Sequence, residues 1–264
     1  MASIIKDRIS WSNLFRVICN PLFGVREIHA LHRFSHNEKP LLEFLVMITK
    51  TSDSLIKELL NEAEASPLYA SVFNVLTNIE STTKGEMGNI SESDWLLLYT
   101  LVRLVKPETV VETGVASGIS TTAILSALYK NEMGRLYSID LPLNRIIGNR
   151  MRDGRLYDLV YEGQQTGWLI PEHLQSQWEL ILGDVRDVLE PLLNQLRNID
   201  MFFHDDLHTP DHMFWEFKLV WPYINAGGVI ASDDINYGWV DFVRSTDTSL
   251  SPYLHHNLLG LIRK

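Results

Sequence analysis

The stretch "VVETGVASGISTT", residues 110–122, joins a β-branched apolar run to two glycines and then to a Ser/Thr-rich segment. It reads as a strand, a turn and a helix start. Gly114 lets backbone come close to a ligand, and Gly118 opens the helix. The free N–H groups at that helix start, together with Ser120, suit an anionic group. The stretch is not a dinucleotide fingerprint, because G-x-G-x-x-G would need glycines at 114, 116 and 119, and Ala116 and Ile119 occupy two of those places. Nor is it a phosphate-binding P-loop, since the Gly-Lys-Ser/Thr ending is absent. Taken alone it is equally a plain tight turn.

The alternation continues on both sides of this stretch. Upstream, "SESDWLLLYTLVRLV" (91–105) reads as a helix capped by Ser91 and Asp94 and stopped by Pro107. Downstream, "STTAILSALYKN" (120–131) reads as a helix, and "RLYSID" (135–140) and "WELILGD" (178–184) read as strands. "VRDVLEPLLNQL" (185–196) is a helix with Asp184 a possible cap, and "IDMFFHD" (199–205) is a strand. A helix follows from Pro210, with Thr209 as cap, and "GGVIASDD" (227–234) is a last strand. Strand and helix alternating at this spacing predict an α/β fold of Rossmann-like, doubly wound type: a mostly parallel sheet covered on both faces. Ligands of such sheets sit at the carboxyl ends of the strands. Glu112, Asp140, Asp184, Asp205, Asp233 and Asp234 all fall there.

Ahead of this core, residues 1–80 read as mostly helical. "KPLLEFLVMITKTSDSLIKELLNEAE" (39–64) has helical apolar spacing, with Ser52 or Asp53 as a cap. Pro67 and "STTKGEMGN" (81–89) read as breaks. The expected division is a helical segment over 1–88, forming an acceptor pocket or subunit contact, and a catalytic domain over 89–264. Residues 4–23 mix Ile4, Ile5, Ile9, Trp11 and Phe15 with Lys6, Arg8 and Arg16. They read as a helix packed on its own domain or a second subunit, the other reading being a helix lying on a membrane. Residues 144–167 carry four arginines and no clear strand, and read as a lid.

Composition narrows the function classes. Across 264 residues, 45% are hydrophobic and 21% charged, ordinary globular values. Lys and Arg number 23 against 33 Asp and Glu, a net charge of −10, so a nucleic-acid partner is not expected. A small-molecule or hydroxyl-bearing partner suits this balance better. Cys19 is the sole cysteine, which excludes an intrachain disulfide and a thiolate metal site. No run approaches the roughly 20 apolar residues of a membrane span. "MASIIKDRISWSNLF" lacks a signal-peptide pattern, so a cytoplasmic location is expected.

Asp140, ending the strand after the glycine loop, is placed to accept both hydroxyls of a ribose. Asp184, ending the strand after that, is placed near an adenine. A ribose-binding acid without pyrophosphate glycines suggests a nucleoside that carries no pyrophosphate. With these pieces "VVETGVASGIST", "LYSIDLP", "GWLIPEHL", "WELILGDVRDVL", "IDMFFHDDLHT" and "GGVIASDDI" in order, residues 90–237 resemble class I S-adenosylmethionine-dependent methyltransferases. More narrowly, the chain resembles the group of macrocin-type sugar O-methyltransferases and cephalosporin-hydroxylase-like proteins. By this resemblance Glu112, Gly114 and Ser120 hold the methionine part of the cofactor, Asp140 the ribose and Asp184 the adenine side. Ser117, Gly118 and Gly183 complete the implied cofactor set. The "GWLIP" loop (167–171) is implied to lie near cofactor or substrate, while Trp168 is equally read as a core anchor.

The second motif, "HDDLHTPDH" (204–212), concentrates acids and histidines. Adjacent strands lie about 4.8 Å apart, so the strand-end carboxylates of Asp205, Asp233 and Asp234 can converge on one point. Three hard oxygen ligands favour Mg²⁺, with Ca²⁺ or Mn²⁺ as other divalent candidates. The resemblance implies the same site; the bland reading makes Asp233 and Asp234 turn caps. His208 stands three residues beyond Asp205 with an ordinary pKa of about 6.5, suited to a general base. It is equally read as packing the loop behind the ion. Asp206, where the resemblance leads one to expect serine, reads as solvent-facing. His204 is aimed away from Asp205 by strand alternation, and Asp211 and His212 read as surface or cap residues.

The expectation is therefore an O-methyltransferase, assisted by a divalent ion, acting on a hydroxyl of a sugar or small metabolite, and a homo-oligomer. Two rivals stand beside it. One is an iron-dependent oxygenase of the cephalosporin-hydroxylase-like type, using His204 or His208 with Asp205. The other is a non-catalytic cofactor-binding protein.

Overall fold

The computed structural model describes residues 41–82, 90–142, 164–246, 253–255 and 259–264. Helices α1 (Leu41–Thr49), α2 (Asp53–Glu64), α3 (Pro67–Thr82) and α4 (Glu92–Val105) precede the sheet. Then come β1 (Thr109–Thr113), α5 (Ile119–Asn131), β2 (Arg135–Asp140), a 3-10 turn (Glu172–Gln177), β3 (Trp178–Leu182), α6 (Val185–Leu196) and β4 (Ile199–His204). Helix α7 (Pro210–Val220), β5 (Ile224–Ser232), α8 (Tyr237–Ser245), β6 (Tyr253–His255) and β7 (Leu259–Arg263) complete the chain.

The seven strands form one sheet in the order β3-β2-β1-β4-β5-β7-β6. β3, β2, β1, β4 and β5 run parallel, whereas β7 is antiparallel to β5 and β6 to β7. The sequence order reverses between β1 and β4, so a crevice opens at their carboxyl ends, beyond Thr113 and His204. The doubly wound class expected from the alternation is the one observed.

Strand alternation divides the core into two faces. Val110, Leu136, Met201, Phe203, Val229 and Leu261 pack on one side with the buried residues of α4 and α5. Val111, Ile139, Phe202, Ile230 and Ile262 pack on the other with α6, α7 and α8. Trp95 in α4 is fully buried and donates from Nε1 to Thr122 Oγ1 of α5 at 3.0 Å, so even the indole N–H is satisfied. Ser91 caps α4, its hydroxyl accepting from the Asp94 N–H at 3.2 Å.

Helices α1–α3 have no core of their own among the described residues. Phe44, Leu45, Ile56, Ala63 and Val72 belong to the same cluster as Trp95, Leu97 and Leu98. Glu62 of α2 accepts from Arg103 Nε at 2.8 Å and from the Tyr99 hydroxyl at 2.5 Å. Arg263 of β7 donates to the Ile48 carbonyl at 3.1 Å, tying the last strand to the first described helix.

The break expected at Pro67 is present: α2 ends at Glu64 and α3 starts at Pro67, a first helical position that tolerates a missing N–H. Other boundaries differ from the sequence reading. β5 begins three residues early, at Ile224, after a 3-10 turn at Trp221–Tyr223. Helix α8 and the β6–β7 pair were not read from the sequence. The expected 4–23 helix, and residues 144–163 of the lid expected over 144–167, lie outside the described residues. Among the described residues no helix is long and apolar enough to cross a membrane.

If α2 shares the core of the sheet domain, Ile56→Ala lowers the stability of the whole by about 2–5 kcal/mol. Urea unfolding followed by tryptophan fluorescence should show one shifted transition; an early separate transition, with the main one unmoved, would mean independent units.

Candidate functional site

Glu112 leaves β1 wholly buried, facing α5. It accepts from Ser120 Oγ (2.8 Å), Thr121 Oγ1 (2.9 Å) and Ser138 Oγ (2.7 Å). Burial pushes its pKa up to about 7, against the pull of these three hydroxyls. Glu112 and Ser120 therefore brace the first turn of α5 from inside, and any cofactor contact would come from the backbone they hold in place. Thr121 and Ser138 were not singled out in the sequence, because a single hydroxyl carries no pattern until its partner is known.

Gly114 has a φ of +83°, and a Cβ there would stand 2.1 Å from the Asp205 carbonyl oxygen. The close approach demanded of this glycine is made to the backbone of Asp205. The Asp205 N–H donates to the Thr113 carbonyl at 2.8 Å, and the Gly114 N–H to that of Ile139 at 2.9 Å. Gly118, with φ +92°, starts α5, and a Cβ there would lie 3.1 Å from Gly167 Cα and 3.0 Å from Ile170 Cγ1. The "GWLIP" loop docks on the glycine loop through Gly167 N–H to Ala116 O (2.9 Å) and Leu169 N–H to Ser117 O (3.1 Å). Ile170, rather than Trp168, anchors it in the core. Trp168 is half-buried, and its indole N–H has no acceptor among the described residues.

Asp140, at the end of β2, is turned toward the same loop. Its Oδ2 accepts from Ala116 N–H at 2.9 Å and Val115 N–H at 3.3 Å, and its Oδ1 from Leu141 N–H at 2.7 Å. These bonds steady Ala116 at a φ of +48°, a conformation that costs a non-glycine residue about 1–2 kcal/mol. Asp184 caps α6 by accepting from the Arg186 N–H at 3.0 Å, and the Gly183 N–H donates to the Asp140 carbonyl at 2.9 Å. The glycine loop, Asp140, Gly183 and Asp184 thus follow one another along the ends of β1, β2 and β3, with Glu112 and Ser120 buried behind the loop.

Beside this rim, ligand atoms of Asp205, His208 and Asp233 all lie within 4.8 Å of one another. His208 Nε2 is 3.8 Å from Asp205 Oδ1, and its Nδ1 is 3.9 Å from Asp234 Oδ2. Asp234 adopts a φ of +46° and its side chain is 55% exposed, so it stands at the outer edge of the group rather than inside it. Burial, then the neighbouring Asp233 and Asp234 charges, push Asp205 well above the usual carboxylate range. Burial, then Asp234 and Asp94, do the same to Asp233. Like charges gathered this way are relieved by a cation, and the oxygen donors fit a hard divalent ion, with His208 available at its side. Asn236 holds this loop from behind: its Nδ2 donates to the His208 carbonyl at 3.0 Å while its Oδ1 caps α8 at Gly238 N–H. Asn236 was not singled out in the sequence, although an Asn directly after "SDDI" is a signal that could have found that cap.

His204 turns to the opposite face, as alternation expects, and is wholly buried under α7. Its Nδ1 contacts Glu216 Oε2 and lies 3.2 Å from Asp206 Oδ1. Asp206 does not face solvent: its Oδ2 bonds His212 Nε2 at 3.1 Å, and His212 is only 4% exposed. Both readings from sequence fail here for one reason, that the first turn of α7 folds back under the β4 end. His204 and Asp205 are therefore not joint ligands, which removes the two-histidine iron site built on that pair. Asp211, by contrast, is at the surface as expected.

Glu112 supplies a pH test. An acid whose pKa rises on folding is more protonated in the folded state, so its contribution to stability falls as pH climbs from about 4.5 to about 7. Glu112→Gln should lose this decline, so that variant and parent diverge in the variant's favour between pH 5 and 8 in urea midpoints; parallel curves would show that Glu112 is already ionised at pH 5.

Residues 111–235 match a family model described as a methyltransferase domain. No curated protein matches the chain at a significant level. Among solved structures, the chain is similar to the O-methyltransferase TomG from Streptomyces achromogenes, involved in tomaymycin synthesis and solved with SAM, at 18% identity, covering 74% of this chain and 87% of that one, with a TM-score of 0.49. It is similar to an O-methyltransferase from Bacillus cereus in complex with SAH, at 15% identity over 84% and 94% of the two chains, with a TM-score of 0.45. A third likeness is to the SAH-bound methyltransferase PaMTH1 of Podospora anserina, at 14% identity over 67% and 80%, with a TM-score of 0.47. These distant likenesses carry no chemistry over to this chain. The family match runs from within β1 to just past the end of β5 and takes in both clusters of acids, so residues 111–235, a little under half of the chain, are similar to that methyltransferase domain.

Proposed function

We propose that the chain is an O-methyltransferase that takes the methyl group of S-adenosylmethionine and places it on a hydroxyl oxygen of a sugar or small metabolite, with a divalent ion, Mg²⁺ in the first instance, at the acid rim. The observation that carries this reading is the Gly114–Asp205 contact: the cofactor loop and the acids are built against each other, backbone to backbone. S-adenosylmethionine supplies an electrophilic sulfonium methyl. Asp140 and the loop that it steadies orient the nucleoside, and Asp184 and Gly183 border the adenine. Asp205 and Asp233, with Asp234 at the margin, would hold the ion, which supplies Lewis acidity to an acceptor hydroxyl. His208, beside Asp205 and Asp234, takes the hydroxyl proton as general base. Most of the work left to the chain is orientation, which supplies several kcal/mol of such a barrier.

The narrower likeness to macrocin-type O-methyltransferases belongs to the same reading, as do a homo-oligomeric state, a cytoplasmic location and a role for the helical segment over 1–88 in the acceptor pocket. With His204 committed beneath α7, the geometry favours methyl transfer over the oxygenase alternative.

Isothermal titration with S-adenosylmethionine and S-adenosylhomocysteine, with and without Mg²⁺, tests the reading directly. Both nucleosides should bind, and Asp233→Ala should keep that affinity while losing at least tenfold in metal-dependent turnover on an accepted hydroxyl substrate. Turnover that is undiminished both in Asp233→Ala and in the parent treated with chelator would take the ion out of the chemistry, and failure of either nucleoside to bind would take away the function.

A further inference from the structure

The acids and histidines of "HDDLHTPDH" are sorted by the fold into two groups that share no residue. Asp205 and His208 face the crevice with Asp233, while His204 and Asp206 meet Glu216 of α7 beneath it. The second group is not used by the proposed chemistry. Ligand atoms of His204, Asp206 and Glu216 lie within 4.8 Å of one another, and His204 Nδ1 stands 3.2 Å from Asp206 Oδ1. Donors about 2.0–2.2 Å from a tetrahedral ion are spaced at roughly that distance from each other. His212, hydrogen-bonded to Asp206 through Nε2, closes the fourth side.

The surroundings make a purely structural network an incomplete account. His204 and Glu216 are both 0% exposed. Glu216 Oε1, His204 Nε2 and Asp206 Oδ1 are buried atoms without a hydrogen bond. Buried polar groups are normally satisfied, and an orphaned carboxylate oxygen there is costly. Once the proton between His204 and Glu216 has left, two carboxylates and a neutral imidazole carry a charge of about −2, which a divalent cation cancels where water cannot reach. Imidazole nitrogen with two carboxylates, enclosed and without an open coordination position, is a donor set for Zn²⁺ or a related transition ion, not for the hard ion of the rim.

We propose that His204, Asp206 and Glu216, with His212 as the fourth donor or as the partner orienting Asp206, form a second, closed metal site that takes a transition ion of the Zn²⁺ class. The ion takes the place between His204 Nδ1 and Glu216 Oε2, and the proton held there leaves to solvent on binding. It fastens the end of β4 to α7. The intervening residues 205–209 carry Asp205 and His208, so the site fixes the loop on which the rim chemistry stands. It does so without touching substrate, and it stands whether or not the rim holds an ion.

Metal analysis of the full chain, purified from zinc-supplemented growth and freed of loosely held ions by gel filtration in EDTA, tests this. About one equivalent of transition metal should remain in the parent and in Asp233→Ala, and less than a tenth of that in Glu216→Gln. Should Glu216→Gln fail to fold, Co²⁺ added to metal-stripped parent protein gives the second arm. Four-coordinate Co²⁺ absorbs visible light far more strongly than six-coordinate Co²⁺, and that strong absorption should appear and survive Asp233→Ala. Metal-free parent protein together with only weak Co²⁺ absorption, or a metal content that follows Asp233 rather than Glu216, would overturn the site.

Discussion

The backbone of Asp205 lies against Gly114 so closely that no side chain fits between them: a Cβ on residue 114 would stand 2.1 Å from the Asp205 carbonyl oxygen. That contact is the consequence of β1 and β4 being neighbours at the point where strand order reverses. It makes the glycine loop and the first acid of the rim a single rigid piece, continued by the Asp205 N–H bond to Thr113. Everything proposed for the crevice depends on it. A methyl donor seated on the loop and an acceptor seated at the acids meet only if these two backbones are fixed to within a fraction of an ångström.

The same region concentrates electrostatic strain on both faces of the sheet. On one face Glu112 is satisfied by three hydroxyls and still pushed up to about 7 by burial. At the rim burial, and after it neighbouring carboxylates, push Asp205 and Asp233 above the carboxylate range. On the far face burial drives the His204 pKa down to about 4 and the Glu216 pKa well up. Burial raises Asp206 as well, but the His212 hydrogen bond and nearby imidazoles outweigh it and hold the pKa at about 2. A domain selected for stability alone would place apolar residues here. Perturbed ionisable groups gathered at one end of a sheet mark a working site, and the two apolar clusters on either face supply the stability that such a site subtracts.

Much of the sheet was legible because its signals are local. "TVVET", "RLYSID" and "VRDVLEPLLNQL" each carry their own period and punctuation, and the observed elements reproduce them within a residue or so. The strand-end position of six acids was legible for the same reason. What those acids touch was not. Gly114 read as room for a ligand, whereas its neighbour is Asp205, 91 positions along the chain by numbering and adjacent only through β1–β4 pairing. Asp206 and His212 read as surface residues because polarity is the only local signal they give; their burial depends on the angle at which α7 returns beneath β4. The β6–β7 pair escaped because β6 has three residues, too few to display an alternation. Helices α1–α3 were read as helical, but their merger into the main core is a matter of packing that periodicity does not reveal.

The most direct measurement is a crystal structure of the protein grown with S-adenosylhomocysteine and soaked in Mn²⁺, with anomalous data collected for the ion. The account predicts the nucleoside beyond Gly114, its ribose hydroxyls within hydrogen-bonding distance of Asp140, and an anomalous peak shared by Asp205 and Asp233 next to its sulfur. A nucleoside bound elsewhere, or a rim that takes no ion while Asp205 and Asp233 stay in contact, would contradict it.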